Sequence, residues 1–217
     1  MIGLAVSFGG MSQSDPQVNA YRLRIVLRRT SPHIWRRVVV RSDSTLCELH
    51  QAFQVMFGWA DSRPLRFVLR GRSLGAAATA TASSWPAPGI LLSEFKLQAK
   101  ERFFYDYGFD HANVPVWRHE IRFEAALVAD RVRLPHCIGG VGNPPLEQAA
   151  SPQELTNLAE LFTPRFVLHQ LTALVYRGSS DVQLAQHMRH LRPWLTAKRF
   201  SQKTANRRLQ AIVGGAK

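Results

Sequence analysis

The chain has 217 residues, 46% hydrophobic and 20% charged, which is enough apolar content for a real core and too much for a globally disordered polymer. Lys and Arg number 28 against 15 Asp and Glu, a formal charge of +13. No apolar run reaches the roughly 18–20 residues that span a bilayer, and two cysteines, Cys47 and Cys137, build neither a disulfide framework nor a four-ligand zinc site alone. A cytoplasmic protein with no membrane partner is the expectation.

Residues 1–20 are rich in Gly and Ser and are expected to form a flexible leader. Tyr21, Leu23, Ile25 and Leu27 then alternate with Arg22, Arg24, Val26 and Arg28, the period of a strand, and Thr30-Ser31-Pro32 turns the chain into a β-branched partner strand over 34–40. Thr45 and Glu48 have capping-box spacing, Leu46, Leu49, Phe53 and Phe57 mark one helical face, and Gly58 fits the stop. A third strand is predicted over 65–70. Low complexity over 71–89 predicts a mobile insertion. A short helical turn is expected over 91–97, two strands over 102–107 and 116–124, and a Gly/Pro loop over 135–145. Two helices follow over 152–162 and 165–176. The tail from Val182 has helical spacing in Leu184, Met188, Leu191 and Leu195, interrupted by Pro193.

Three units of domain organisation result: the leader, an α+β domain over 21–181, and a basic helical tail over 182–217. The expected architecture is a roll, a mixed but mainly antiparallel sheet packed on helices. Charge follows these units. Residues 1–42 carry +6 and 182–217 carry +8, while 43–181 carry −1. Basic ends on a neutral body are the electrostatic footprint of a nucleic-acid partner. The candidate binding residues are Arg22, Arg24 and Arg28 on the first hairpin, with Arg189, Arg192, Lys198, Arg199, Lys203, Arg207 and Arg208 in the tail. Neutralising phosphates releases counterions, which gives salt-dependent binding without sequence reading.

Four segments carry a family resemblance. Pro32-His33-Ile34-Trp35-Arg36-Arg37-Val38 resembles a P-x-I-W-R-R opening, and Thr45-Leu46-Cys47-Glu48-Leu49-His50, continuing to Gly58-Trp59, resembles a T-L-x-x-L-H…G-W helix. Phe104-Tyr105-Asp106-Tyr107-Gly108 with Trp117-Arg118-His119-Glu120-Ile121 resembles a Y-D-F-G-D-x-W-x-H-x-I strand pair, and Pro135-His136-Cys137 with Pro144-Pro145 resembles a P-x-C…P-P loop. Over about 21–147 the chain resembles the family named after the third open reading frame of the agrobacterial Ri plasmid. Members on insertion sequences are labelled TnpR-like passenger or resolvase proteins. The resemblance implies an α+β roll and a setting on a mobile element. Two loops depart from the pattern: the G-D-x-W step is stretched over 108–117, and the acidic run after the two prolines is reduced to Leu146-Glu147-Gln148-Ala149.

A possible polar site comprises Arg36, His50, Asp106, His119 and Cys137, residue types that suit acid–base chemistry or a metal. Their spacing matches neither H-E-x-x-H nor paired C-x-x-C, and Gly139-Gly140-Val141-Gly142 does not follow a strand-to-helix context, so no metal or other cofactor is expected. A core role is expected for Trp35, Trp117 and a hydrogen-bonded His119. One of Arg36 and Arg37 is expected to pair with Asp106 or Glu124. The leading expectation is a non-enzymatic DNA-binding accessory protein of a mobile element. The alternatives are an enzyme, either of recombinase type or with a site near Asp106, His119 and Cys137, and a module docking a transposase or another acidic protein.

Overall fold

The computed structural model describes residues 18–75, 89–109, 112–129, 133–142, 145, 147, 151–161, 163–178, 180–183, 185–186, 189 and 200–214. Strands β1 (Val18–Leu27) and β2 (Ile34–Arg41) form the predicted hairpin, and helix α1 (Leu46–Phe57) follows. Next come β3 (Leu65–Leu69), β4 (Arg72–Gly75), β5 (Arg102–Phe109), β6 (Pro115–Ala129) and β7 (His136–Val141). Helices α2 (Pro152–Leu161), α3 (Pro164–Tyr176) and α4 (Gln202–Gly214) complete the described elements. The fold is α+β. Its seven described strands lie in the order β4-β3-β5-β6-β1-β2-β7, and every pairing among the described residues is antiparallel, so the parallel component of a mixed sheet is not formed among them.

Local chemistry explains α1. Thr45 accepts from the Glu48 amide at 3.1 Å while the Glu48 carboxylate accepts from the Thr45 amide at 2.8 Å, and Gly58 ends the helix at φ 68°. Leu46, Leu49, Phe53, Met56 and Phe57 are all buried, at the spacing of one helical face. That face packs on alternate residues of the sheet: Phe53 meets Tyr105 edge-on at 5.2 Å and Phe57 meets His119 at 4.8 Å. Burial of such rings is the main driving force for this layer.

Four expectations are corrected here. Residues 72–75 belong to a strand, because Arg70 and Gly71, at φ 48° and 76°, turn β3 back on itself; the rest of the predicted insertion, 76–88, lies outside the described residues. Residues 18–20 of the predicted leader belong to β1, where Ala20 is buried; the leader up to residue 17 lies outside the described residues, and so do Leu184, Met188, Leu191 and Leu195. The glycine-rich stretch read as a loop contains the edge strand β7, paired with β2 around a register shift between Arg37 and Val38. Gly140 lets it approach: a Cβ there would stand 2.8 Å from Phe200, 2.9 Å from the Arg36 side chain and 2.9 Å from the Trp35 carbonyl. Trp35 is half-buried on the face opposite α1, because Ile34, Arg36, Val38 and Val40 take the helix side; Trp117 is fully buried, as expected.

The C-terminal helix does not stand off as a tail. α4 packs on α1 and β7 and buries Ala205 and Leu209. Asn206 grips the sheet edge like another strand: its side-chain oxygen accepts from the Cys137 amide at 2.7 Å and its amide donates to the Cys137 carbonyl at 2.9 Å.

Candidate nucleic-acid interface

Strand alternation gives the sheet two unlike faces. Leu23, Ile25, Leu27, Phe103, Tyr105, Tyr107, Trp117, His119 and Ile121 form the buried face under α1. The opposite face is built of arginines. Arg102 on β5 is level with Arg122 on β6, Arg122 with Arg24 on β1, and Arg24 with Arg37 on β2. Four arginines thus lie abreast across four strands, and at the β2 end Arg37 opposes Gly139, which adds no side chain. With strands about 4.8 Å apart, the row spans about 14 Å. Like charges directly opposite on a sheet are mutually destabilising.

Carboxylates only partly neutralise this face. Glu124 pairs with Arg22 at 3.0 Å and Arg37 at 2.8 Å, while Glu120 takes Arg28 and Arg102, each at 3.4 Å. Asp106, fully buried, is held by Arg66 at 3.0 Å and Arg118 at 2.7 Å. Six arginines therefore share three carboxylates. Among the described residues Arg24 and Arg122 form no ion pair, and the Arg24 guanidinium lies 5.0 Å over the Trp35 ring. The side chains remain reachable: Arg28 and Arg102 are 56% exposed and Arg118 is 41%.

Of the predicted binding residues, Arg22, Arg24 and Arg28 come together on this face. Lys203, Arg207 and Arg208 are exposed on α4, on the helix side of the sheet, and Arg208 lies close to Gly58 at the C-terminal end of α1, where a cation suits the helix dipole. Arg189 is exposed on a separate segment, and Arg192, Lys198 and Arg199 lie outside the described residues. Arg37, Arg66, Arg102, Arg118 and Arg122 were not predicted. Charge at every second position of 118–124 was the available signal, since alternate residues of a strand share a face.

The possible polar site is divided. Asp106 points to the arginine face, whereas Arg36, His50, His119 and Cys137 lie on the helix side. Neighbouring residues of β5 point to opposite faces, which separates Asp106 from Tyr105 and Tyr107. His50 joins a buried chain instead: its Nε2 lies 2.8 Å from Asp61, and its Nδ1 lies 2.7 Å from the Tyr105 hydroxyl, which also accepts from Gln54 at 2.9 Å. Burial lowers the His50 pKa against the pull of Asp61, so a neutral ring donates from Nε2 and accepts at Nδ1. Burial likewise raises the Tyr105 hydroxyl well above its ordinary value.

A second chain ties the loop after α1 to the sheet. Glu147 accepts from the Tyr107 hydroxyl, from Ser62 Oγ at 2.9 Å and from the Ala60 amide at 2.7 Å. Burial works to raise the Glu147 carboxyl, but these donors outweigh it and hold the pKa below the usual value. His119 is fully buried with Nδ1 3.2 Å from the Tyr105 carbonyl, and burial pushes it down to about 3. The expected core histidine is thus present. Burial raises the Cys137 thiol, the direction of an unreactive cysteine.

Arg36 is the exception on the buried side. Its guanidinium donates to the carbonyls of Trp35, Val141 and Gly142, each at 2.8 Å, and lies between Phe57 and Phe200. Burial lowers its pKa to about 10, so it stays charged. Arg37, its neighbour, makes the expected pair with Glu124. Among the described residues, no group of three or more His, Cys, Asp or Glu side chains is placed to hold a metal ion.

Fold and interface define an α+β protein with one antiparallel sheet, helix-covered on one side and arginine-rich on the other. The model of the plasmid pRiA4b ORF-3-like protein family matches residues 19–165, and the chain belongs to that family. The match contains all four motifs but not α4. A crystal structure of a protein of unknown function from Methanosarcina mazei Go1 is similar in fold, with a TM-score of 0.59 at 19% identity, covering 86% of this chain and 97% of that one. No curated protein matches.

Proposed function

We propose that this protein binds DNA through the arginine face of its sheet and serves as a non-enzymatic accessory of a mobile element. The observation that supports this reading most is the row Arg102, Arg122, Arg24 and Arg37, a concentration of like charge whose internal ion pairs leave it strongly positive. Guanidinium groups suit phosphate oxygens because they present fixed pairs of donors and stay charged. The plasmid origin of the family's name is in keeping with the mobile-element setting.

Fluorescence anisotropy with labelled DNA tests the reading. If four phosphates are contacted, affinity falls on the order of a hundredfold between 50 and 200 mM salt. Arg24→Glu with Arg122→Glu weakens binding more than tenfold, whereas Lys203→Glu with Arg207→Glu on α4 changes it about twofold. The opposite ranking of the two variants moves the interface to the C-terminal helix. A second reading, an interaction module for a protein such as a transposase, draws on Leu168, Val175 and Tyr176 of α3, which are 65%, 65% and 84% exposed.

A further inference from the structure

We infer that the arginine face takes single-stranded nucleic acid in preference to a duplex, an inference that rests on the nucleic-acid reading above. Two residues along each strand from the arginine row lies a second row on the same face: Phe104, Glu120, Val26 and Trp35. The rows are about 6.7 Å apart. A backbone following the guanidinium groups therefore lays its bases towards two aromatic rings, Phe104 and Trp35, at the two ends of the second row.

Both rings are half-buried and carry guanidinium groups. Arg24 and Arg37 lie 5.0 and 5.7 Å from the Trp35 ring centre, and Arg118 lies 5.1 Å from that of Phe104. Arg24 and Arg37 also belong to the phosphate row. As they turn to phosphate oxygens they uncover Trp35, and the π-face given up by a cation is taken by a base. Gly139 keeps the edge of that indole clear, since even an added Cβ would come only to 3.7 Å from it.

Groove dimensions argue against a duplex. The major groove of B-DNA, about 12 Å wide, admits a helix or a two-stranded ribbon. Here the charge is spread over four inner strands of a seven-stranded sheet, flanked by β3 and β4 on one side and β7 on the other. A duplex would touch this face only along its phosphate ridges and would leave both rings unused. A single strand exposes its bases and uses phosphate and ring contacts together.

The test measures binding of the full chain to a 20-nucleotide oligo(dT), a 20-nucleotide oligo(U), a 20-base-pair duplex and polyglutamate, each at several salt concentrations. The expected result is at least tenfold tighter binding of oligo(dT), oligo(U) or both than of the duplex. The expected slope of log affinity against log salt is about −3 if four phosphates are neutralised. Equal binding of the two oligonucleotides means that the 2′-hydroxyl is not read, and preference for one means that it is; the inference stands in both cases. Phe104→Leu should weaken oligonucleotide binding about fivefold or more, the lower bound for losing one stacked base, while leaving the duplex unaffected. If Phe104→Leu fails to fold, Arg102→Gln, at an exposed end of the row, should instead make the salt slope shallower by about 0.7. Duplex binding as tight as that of the single strands overturns this inference and keeps the DNA reading. Binding of polyglutamate as tight as that of the tighter of the two oligonucleotides, or no binding of any nucleic acid at 50 mM salt, overturns both.

Discussion

Arg36 and Arg37 are neighbours in the chain, yet they live in different solvents. Arg37 faces outward, ion-paired with Glu124 in the half-exposed arginine row. Arg36 is fully buried, held by three carbonyls and covered by Phe57 and Phe200. One residue of strand alternation separates a charge available to a partner from a charge used to close the molecule. The same division runs across the sheet: on one side geometry concentrates positive charge, and on the other it removes polar groups from water and then satisfies most of them.

The largest expected effect contrasts the two tryptophans. Trp117→Ala, on the buried face, should destabilise by about 3–5 kcal/mol in chemical denaturation, because it empties a fully buried site. Trp35→Ala, on the arginine face, should have a clearly smaller effect; equal losses would mean that the two faces are equally enclosed. Next comes Leu209→Ala on α4, expected to lower stability by about 2–5 kcal/mol and to speed the reaction of Cys137 with a thiol reagent, since α4 covers that strand edge. A variant of wild-type stability with an unreactive Cys137 would show that α4 is a detachable appendage.

Acid should act on the buried face before the other. His119 has a folded pKa of about 3, and His50 is also lowered, so the folded state binds fewer protons than the unfolded chain. Their stabilisation is present above an unfolded pKa of about 6.5 and is lost as pH falls below it, by about 1.4 kcal/mol per pH unit for His119, with His50 acting in the same direction. His119→Leu should remove one proton's worth of this slope between pH 6 and 4.5. An unchanged slope would mean that His119 titrates freely in the folded protein. The smallest effect is expected for Arg37→Ala, a half-exposed ion-pair deletion, at no more than about 1 kcal/mol. A larger loss would place Arg37 among the structural arginines with Arg36.

Much of the frame was legible from local pattern. The period-two runs of β1, β5 and β6, the Thr45–Glu48 box and the stop at Gly58 each depend on residues close in sequence. β7 was not legible, because Gly139 and Gly140 read as loop; their value lies in admitting Arg36, Phe200 and the Trp35 backbone, which are remote in the chain. The interface was half legible. Arg22, Arg24 and Arg28 stood out in an alternating strand, but their partners in the row come from β2, β5 and β6.

The sequence by itself therefore determined the charge, the strand and helix periods, the family and the presence of arginines at alternate positions. Tertiary structure decided which arginines stand side by side, because register between strands depends on the hydrophobic face that α1 covers and on the bulges in β6 and β7. It also decided that a basic C-terminal segment closes the core: Ala205 and Leu209 bury themselves on α1 and β7 while Lys203 and Arg207 remain in water. An amphipathic helix carries its apolar face wherever it goes, and only the assembled sheet provides the place to bury it.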